Sequence, residues 1–123
     1  MDYLLLKIIH VTGLALAFMG LAGVLASASS GEMPASRRRL FRAGHGIGLL
    51  IMLASGVALG LKLGVTHPAP FWIIAKFGIW LMAGASVALA IRFSRWSGIL
   101  LLFFATLVFA ATWLAVYKPT LGQ

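Results

Sequence analysis

The sequence predicts an all-α integral membrane protein, a transmembrane bundle of four helices built as one domain over residues 1–123. Three observations predict it. The apolar fraction is 62%, against about 45–50% in soluble domains. Only 10% of the residues are charged, too few to cover the surface of so small a core. The apolar residues fall into four runs, each near the roughly 20 residues a helix needs to cross a hydrocarbon layer about 30 Å thick.

The first span is read at Tyr3–Ala28. Ala26-Ser27-Ala28 resembles a secretory cleavage site, but the apolar run from Ile8 exceeds a signal core and Asp2 precedes it, so the segment is expected to be retained. Ser29-Ser30-Gly31-Glu32-Met33-Pro34 is polar and proline-bearing, hence a loop. The second span is read at Phe41–Leu63 and ends in Gly64 to Pro70, which places a proline at the threshold of the third. The third is read at Phe71–Phe93. Ser94-Arg95-Trp96-Ser97 is a tight connection, and the fourth span runs Ser97–Tyr117 until Lys118-Pro119 stops it. Short loops make sequence neighbours antiparallel. Tyr3, Trp72, Trp96, Trp113 and Tyr117 fall near the interfaces, as membrane belts do.

Charge speaks to topology rather than to polyanion binding. Lys and Arg total 10 and Asp and Glu total 2, but the bases are dispersed between apolar runs, so a nucleic-acid partner is not expected. Arg37, Arg38, Arg39, Arg42, Arg92 and Arg95 fall on one side of the bilayer; Lys7, Lys62, Lys76 and Lys118 fall on or toward the other. The expected topology is a multi-pass protein of the bacterial inner (plasma) membrane, with the arginine side cytoplasmic and both termini periplasmic. The two acids, Asp2 and Glu32, lie outside the spans. The missing intramembrane carboxylate counts against a proton pump and a carboxylate-bound metal. Without cysteine there is no disulfide, zinc–thiolate site or iron–sulfur cluster.

Gly44, Gly48, Gly56 and Gly60 recur on the second span in a four-residue rhythm, with Met52 in the gap. His10, Gly13, Ala17 and Gly20 share one face of the first span. Small residues let backbones approach where no hydrophobic force joins helices. These stripes predict close packing, within the bundle or in a homo-oligomer.

The polar positions inside the spans are His10, His45 and Lys76. An ionisable group at depth costs a few kcal/mol unless it is paired, wet or snorkelling. At about 1.5 Å per residue His10 lies roughly 10 Å and Lys76 roughly 8 Å below the same interface, so one pocket can hold both. Lys7 shares a face with His10 at i, i+3. His45 starts from the opposite interface, about 14 Å away in depth, which argues against bis-histidine haem within one chain. The plainer expectations are snorkelling for Lys76, a hydrogen bond across the bundle for His10 and a packing role for His45.

Lys7-Ile8-Ile9-His10 at the first span, Phe71-Trp72-Ile73-Ile74-Ala75-Lys76 at the third and Val116-Tyr117-Lys118-Pro119 at the end resemble, in that order, the HemJ-type protoporphyrinogen oxidases, small bacterial membrane proteins. Arg38-Arg39-Leu40 resembles that family's basic stretch. His45-Gly46-Ile47-Gly48 followed by Ser55-Gly56 is similar to SirB-like and CopD-like membrane domains. Gly20 to Leu25 lacks the family's Pro and Arg, and Arg95-Trp96-Ser97-Gly98 replaces its Asn-Glu-x-Pro. The HemJ resemblance implies haem b or porphyrin as cofactor and an oxidoreductase activity. It makes His10 and Lys76 the catalytic pair, His10 the metal ligand, and His10, Lys7 and Lys76 the porphyrin-binding set. A CopD-like resemblance implies copper handling, for which the chain offers His10, Met19, Met52 and Met82 without a clear ligand cluster. Two other functions stay open, a transporter or channel subunit for small solutes or ions, and a non-catalytic membrane scaffold or assembly protein. Whether the chain is an enzyme stays open with them.

Overall fold

The computed structural model describes residues 1–119. Four long helices make up the chain: α1 Tyr3–Ser30, α2 Ala35–Lys62, α3 Phe71–Arg92 and α4 Ser97–Tyr117. One 3-10 turn, Ser94–Trp96, joins α3 to α4, and there is no strand among the described residues. All four helices are long and apolar enough to cross a membrane.

Local chemistry explains the ends. Gly31 takes a left-handed conformation at φ 67° and its N–H closes on the Ser27 carbonyl, ending α1. Gly64 does the same after α2 at φ 70°. Pro34 and Pro70 each stand immediately before a helix, where a missing N–H costs nothing. Lys118 carries a positive φ of 44° after α4, and Pro119 follows.

The boundary that differs most from the expectation is the start of α2. α2 begins at Ala35 rather than near Phe41, so Arg37, Arg38, Arg39 and Arg42 stand on helix and not in a loop. Hydropathy marks where hydrocarbon begins, not where helix begins. At about 1.5 Å per residue α2 is about 42 Å long, and its arginine-bearing turns project beyond a hydrocarbon layer of about 30 Å.

α1 and α2 form the tightest pair, and α1 also touches α3 and α4. α3 leans on both α1 and α4, while α2 and α4 do not meet. The α1–α2 seam is made of missing side chains. A Cβ on Gly48 would collide with the backbone nitrogen of Ala17 and lie 2.6 Å from the Gly13 carbonyl. A Cβ on Gly20 would collide with the His45 nitrogen, and one on Gly23 with the Phe41 ring. The stripe expected on α2 therefore divides. Gly48 is at the closest approach; Gly44 has only ordinary contact, 3.8 Å from Leu16; Gly56 faces the His10 ring at 3.3 Å. Gly60 is a correction to the packing set, because nothing lies within 4 Å of where its Cβ would be. A four-residue step advances about 40° around a helix of 3.6 residues per turn, so Gly60 is turned about 120° from Gly48.

The core runs along α1, with Ala17, Leu21, Val24 and Leu25 against Leu49, Ala83, Ala90, Phe104 and Leu107. His45 sits in its middle at 2% exposure. Its Nδ1 lies 2.8 Å from the Ala17 carbonyl oxygen and its Nε2 3.1 Å from that of Ala83. One imidazole on α2 thus bridges α1 and α3. Trp80 adds a second tie, donating its indole N–H to the Leu49 carbonyl at 2.9 Å.

Candidate functional site

His10 stands two turns into α1, half-buried, with the Cε1–Nδ1 edge of its ring toward α2. Two residues of α2 shape that contact. Gly56 leaves room for the ring, since a Cβ there would sit 3.3 Å from Cε1. Ser55 is buried, and its hydroxyl lies 2.8 Å from His10 Nδ1.

The direction of that bond follows from counting protons. A serine hydroxyl has one proton and two lone pairs. The Ser55 proton goes to its own helix, to the Ile51 carbonyl, with the Met52 carbonyl at 3.3 Å as the weaker alternative. The oxygen is then an acceptor toward His10, and Nδ1–H donates to it. In the tautomer in which Ser55 accepts, the ring's proton is on Nδ1 and the lone pair is on Nε2. Nε2 makes no hydrogen bond among the described residues.

Lys76 comes from α3, half-buried, with its Nζ 5.7 Å from the centre of the Trp72 ring one turn earlier. Lys118, just past the end of α4, places its Nζ 5.9 Å from the same ring. One indole ring therefore attracts two ammonium groups. Three helices thus bring three basic groups to one end of the bundle. Glu32, one of the chain's two acids, lies in the loop at the opposite end.

Of the residues proposed from sequence, His10 on α1 and Lys76 on α3 stand toward the same end of the bundle. Lys7 is not drawn in with them. It is exposed, and its ammonium lies over the Tyr3 ring at 5.0 Å, a snorkelling position at the interface. Sharing a face with His10 did not bring it inward, because Tyr3 offers a cation site one turn nearer to water. His45 is closed to a metal, since a carbonyl oxygen stands against each ring nitrogen. Among the described residues no three His, Cys, Asp or Glu side chains gather into a metal site. Met19 and Met82 are exposed while Met52 packs against the core, so they add no copper-ligand cluster around His10.

Two members were not singled out from sequence. Ser55 entered only as part of the Ser55-Gly56 pair; its hydroxyl falls opposite His10 only through the α1–α2 register. Lys118 was legible in principle, because α3 begins and α4 ends on the same face of an antiparallel bundle.

An apolar groove of about 330 Å³ lies between α1 and α4, lined by Val11, Leu14, Ala15, Phe18 and Val108. It begins on the helical turn that follows His10. No family model, curated protein or solved structure matches the chain.

Proposed function

We propose that this protein binds a carboxylate-bearing tetrapyrrole, haem b or a porphyrin, in a bacterial inner membrane. The arginine end would face the cytoplasm and both termini the periplasm. One observation supports the reading: His10 Nδ1 lies 2.8 Å from the Ser55 hydroxyl, while no hydrogen-bond partner of Nε2 is found among the described residues. A histidine that ligates a metal commonly gives its other ring N–H to a hydrogen-bond acceptor, which orients the ring and raises its basicity.

The residues fit the group in three respects. His10 supplies one axial nitrogen, and His45 supplies none, so ligation by this chain is single. Lys76 and Lys118 supply cations for propionate carboxylates, at the edge where a desolvated carboxylate needs them. The groove beginning beside His10 offers an apolar wall to a flat ring. A bound haem would supply one-electron or oxygen chemistry. With a metal-free porphyrinogen, the Nε2 lone pair would act as a proton acceptor, the role that HemJ-type oxidation would require. An anion-conducting subunit is the second reading. It is supported by the same three bases at one end of the bundle, which make no ion pair among the described residues.

Absorption spectra of protein in mild detergent, reconstituted separately with haem and with protoporphyrin, test the proposal. Wild type should show a Soret band above an empty-micelle control. His10→Ala should lose it, and Ser55→Ala should weaken haem binding by about tenfold. Lys76→Met should weaken binding while the bundle stays folded. If wild type retains neither pigment, the tetrapyrrole reading fails and anion transport becomes the reading to test. Reporter fusions at Gly31 and at Arg95 should both read cytoplasmic; a periplasmic signal from either would overturn the orientation.

A further inference from the structure

The opposite end of the bundle holds a second polar feature, unconnected with His10. A cavity of about 160 Å³ opens to the surface where the end of α1, the first turns of α2 and the end of α3 converge. Arg38 and Arg42 line it from α2, Ser27 from α1, Ser94 from the turn after α3, and Val24 and Ile91 form its apolar part. We infer that this cavity is a binding site for a phosphate group.

The residue types and their positions carry the inference. Arg38 and Arg42 are one turn apart on one helix face, so both guanidinium groups reach a single opening. Neither makes a hydrogen bond or ion pair among the described residues, and Glu32 is the only carboxylate that the sequence places at this end. Guanidinium forks match phosphate oxygens in pairs, which a simple topology signal does not require. The Ser94 hydroxyl has no hydrogen-bond partner among the described residues, so its O–H is free to donate into the cavity. Ser27 gives its proton to the Val24 carbonyl at 2.9 Å and contributes a polar wall. The volume exceeds that of several water molecules and suits one tetrahedral anion rather than a large ligand.

The location selects the sources. Trp96, exposed beside the cavity's end of the bundle, is placed as interfacial tryptophans are, at headgroup level. A phosphate there comes either from an anionic lipid headgroup, with its chains along the apolar surface of Ile91, or from free phosphate in water.

Native mass spectrometry in mild detergent, titrated with phosphatidylglycerol, with phosphatidylcholine and with inorganic phosphate, tests the site. Two variants remove equal charge from the same end: Arg38→Gln with Arg42→Gln, and Arg37→Gln with Arg39→Gln. The cavity predicts that the first pair loses phosphatidylglycerol binding by about tenfold or more, while the second keeps it within about twofold. General attraction of basic residues to anionic lipid predicts equal losses from both pairs, and that result would overturn the site. Competition by inorganic phosphate would identify a free-phosphate site; retention of lipid against phosphate would identify a headgroup site. Failure of wild type to bind either above phosphatidylcholine also overturns it. Arg38→Lys with Arg42→Lys guards against misfolding, because charge is kept and only the paired hydrogen bonds are lost. It should bind between wild type and the glutamine pair, and wild-type affinity in it would remove the guanidinium argument.

Discussion

The two halves of this bundle are joined by different physics. The α1–α2 hairpin is held by absent side chains: Gly13, Gly20 and Gly48 allow backbone to meet backbone, and a Cβ at any of them would overlap the neighbouring helix. α4 is held by one buried aromatic and two leucines, Phe104, Leu107 and Leu114, while Leu102, Phe109 and Val116 are about 70% exposed. In the most apolar window of each helix, 39% of α1 is buried inside the molecule and 17% of α4. Lipid tails solvate apolar side chains as well as a protein core does, so α4 gains little by hiding them. Close van der Waals packing and interhelical hydrogen bonds remain as the forces that can select a neighbour, and they are concentrated on α1, α2 and α3.

The comparison is easiest to break at the seam. Gly48→Leu should cost about 3 kcal/mol or more, because overpacking against backbone has no side chain to move aside. Thermal unfolding in detergent would show it, and Gly60→Leu is the matched control, expected to change stability by less than about 0.5 kcal/mol. Equal losses at both positions would mean that the stripe packs against something other than α1.

A smaller effect is expected at the bridge between the halves. His45→Ala removes the ring from between the Ala17 and Ala83 carbonyls and opens a cavity beside Phe104. The cost should be about 1–3 kcal/mol, the range for leaving buried polar groups without partners. A cysteine pair between α1 and α3 should then cross-link less efficiently, while one between α1 and α2 should be unchanged. Loss at both would make His45 a support of the whole core rather than a bridge.

The smallest effect belongs to α4. Phe109→Leu exchanges one lipid-facing apolar side chain for another and should change stability by less than about 0.5 kcal/mol. A larger loss, together with a change in oligomer size, would place a second copy of the chain against α4.

Much of the architecture was written in the local pattern. The four spans follow from run length, and α4 was bounded correctly at Ser97 and Tyr117, because a tight turn and a Lys-Pro stop enclose it. The start of α2 was not legible in the same way, since arginines interrupt hydropathy without interrupting a helix. Depth counting placed His10 and Lys76 at one level, since a helix advances by a constant rise. It could not say that Lys7 would turn outward to Tyr3, nor that the Ser55 hydroxyl would lie against His10.

What the sequence determined by itself is therefore the class of the protein, its number of crossings and the end of the bundle to which each charge belongs. These depend on the transfer of each segment from water to lipid, a property of the segment alone. Only the tertiary structure decided which glycines are contacts, which histidine is closed by carbonyls and which keeps a free nitrogen. Those depend on the register of neighbouring helices. A shift of one residue along α2 rotates each of its side chains by about 100°, at 3.6 residues per turn. It would carry Ser55 away from His10 and Gly48 away from Ala17, with the composition of every span unchanged.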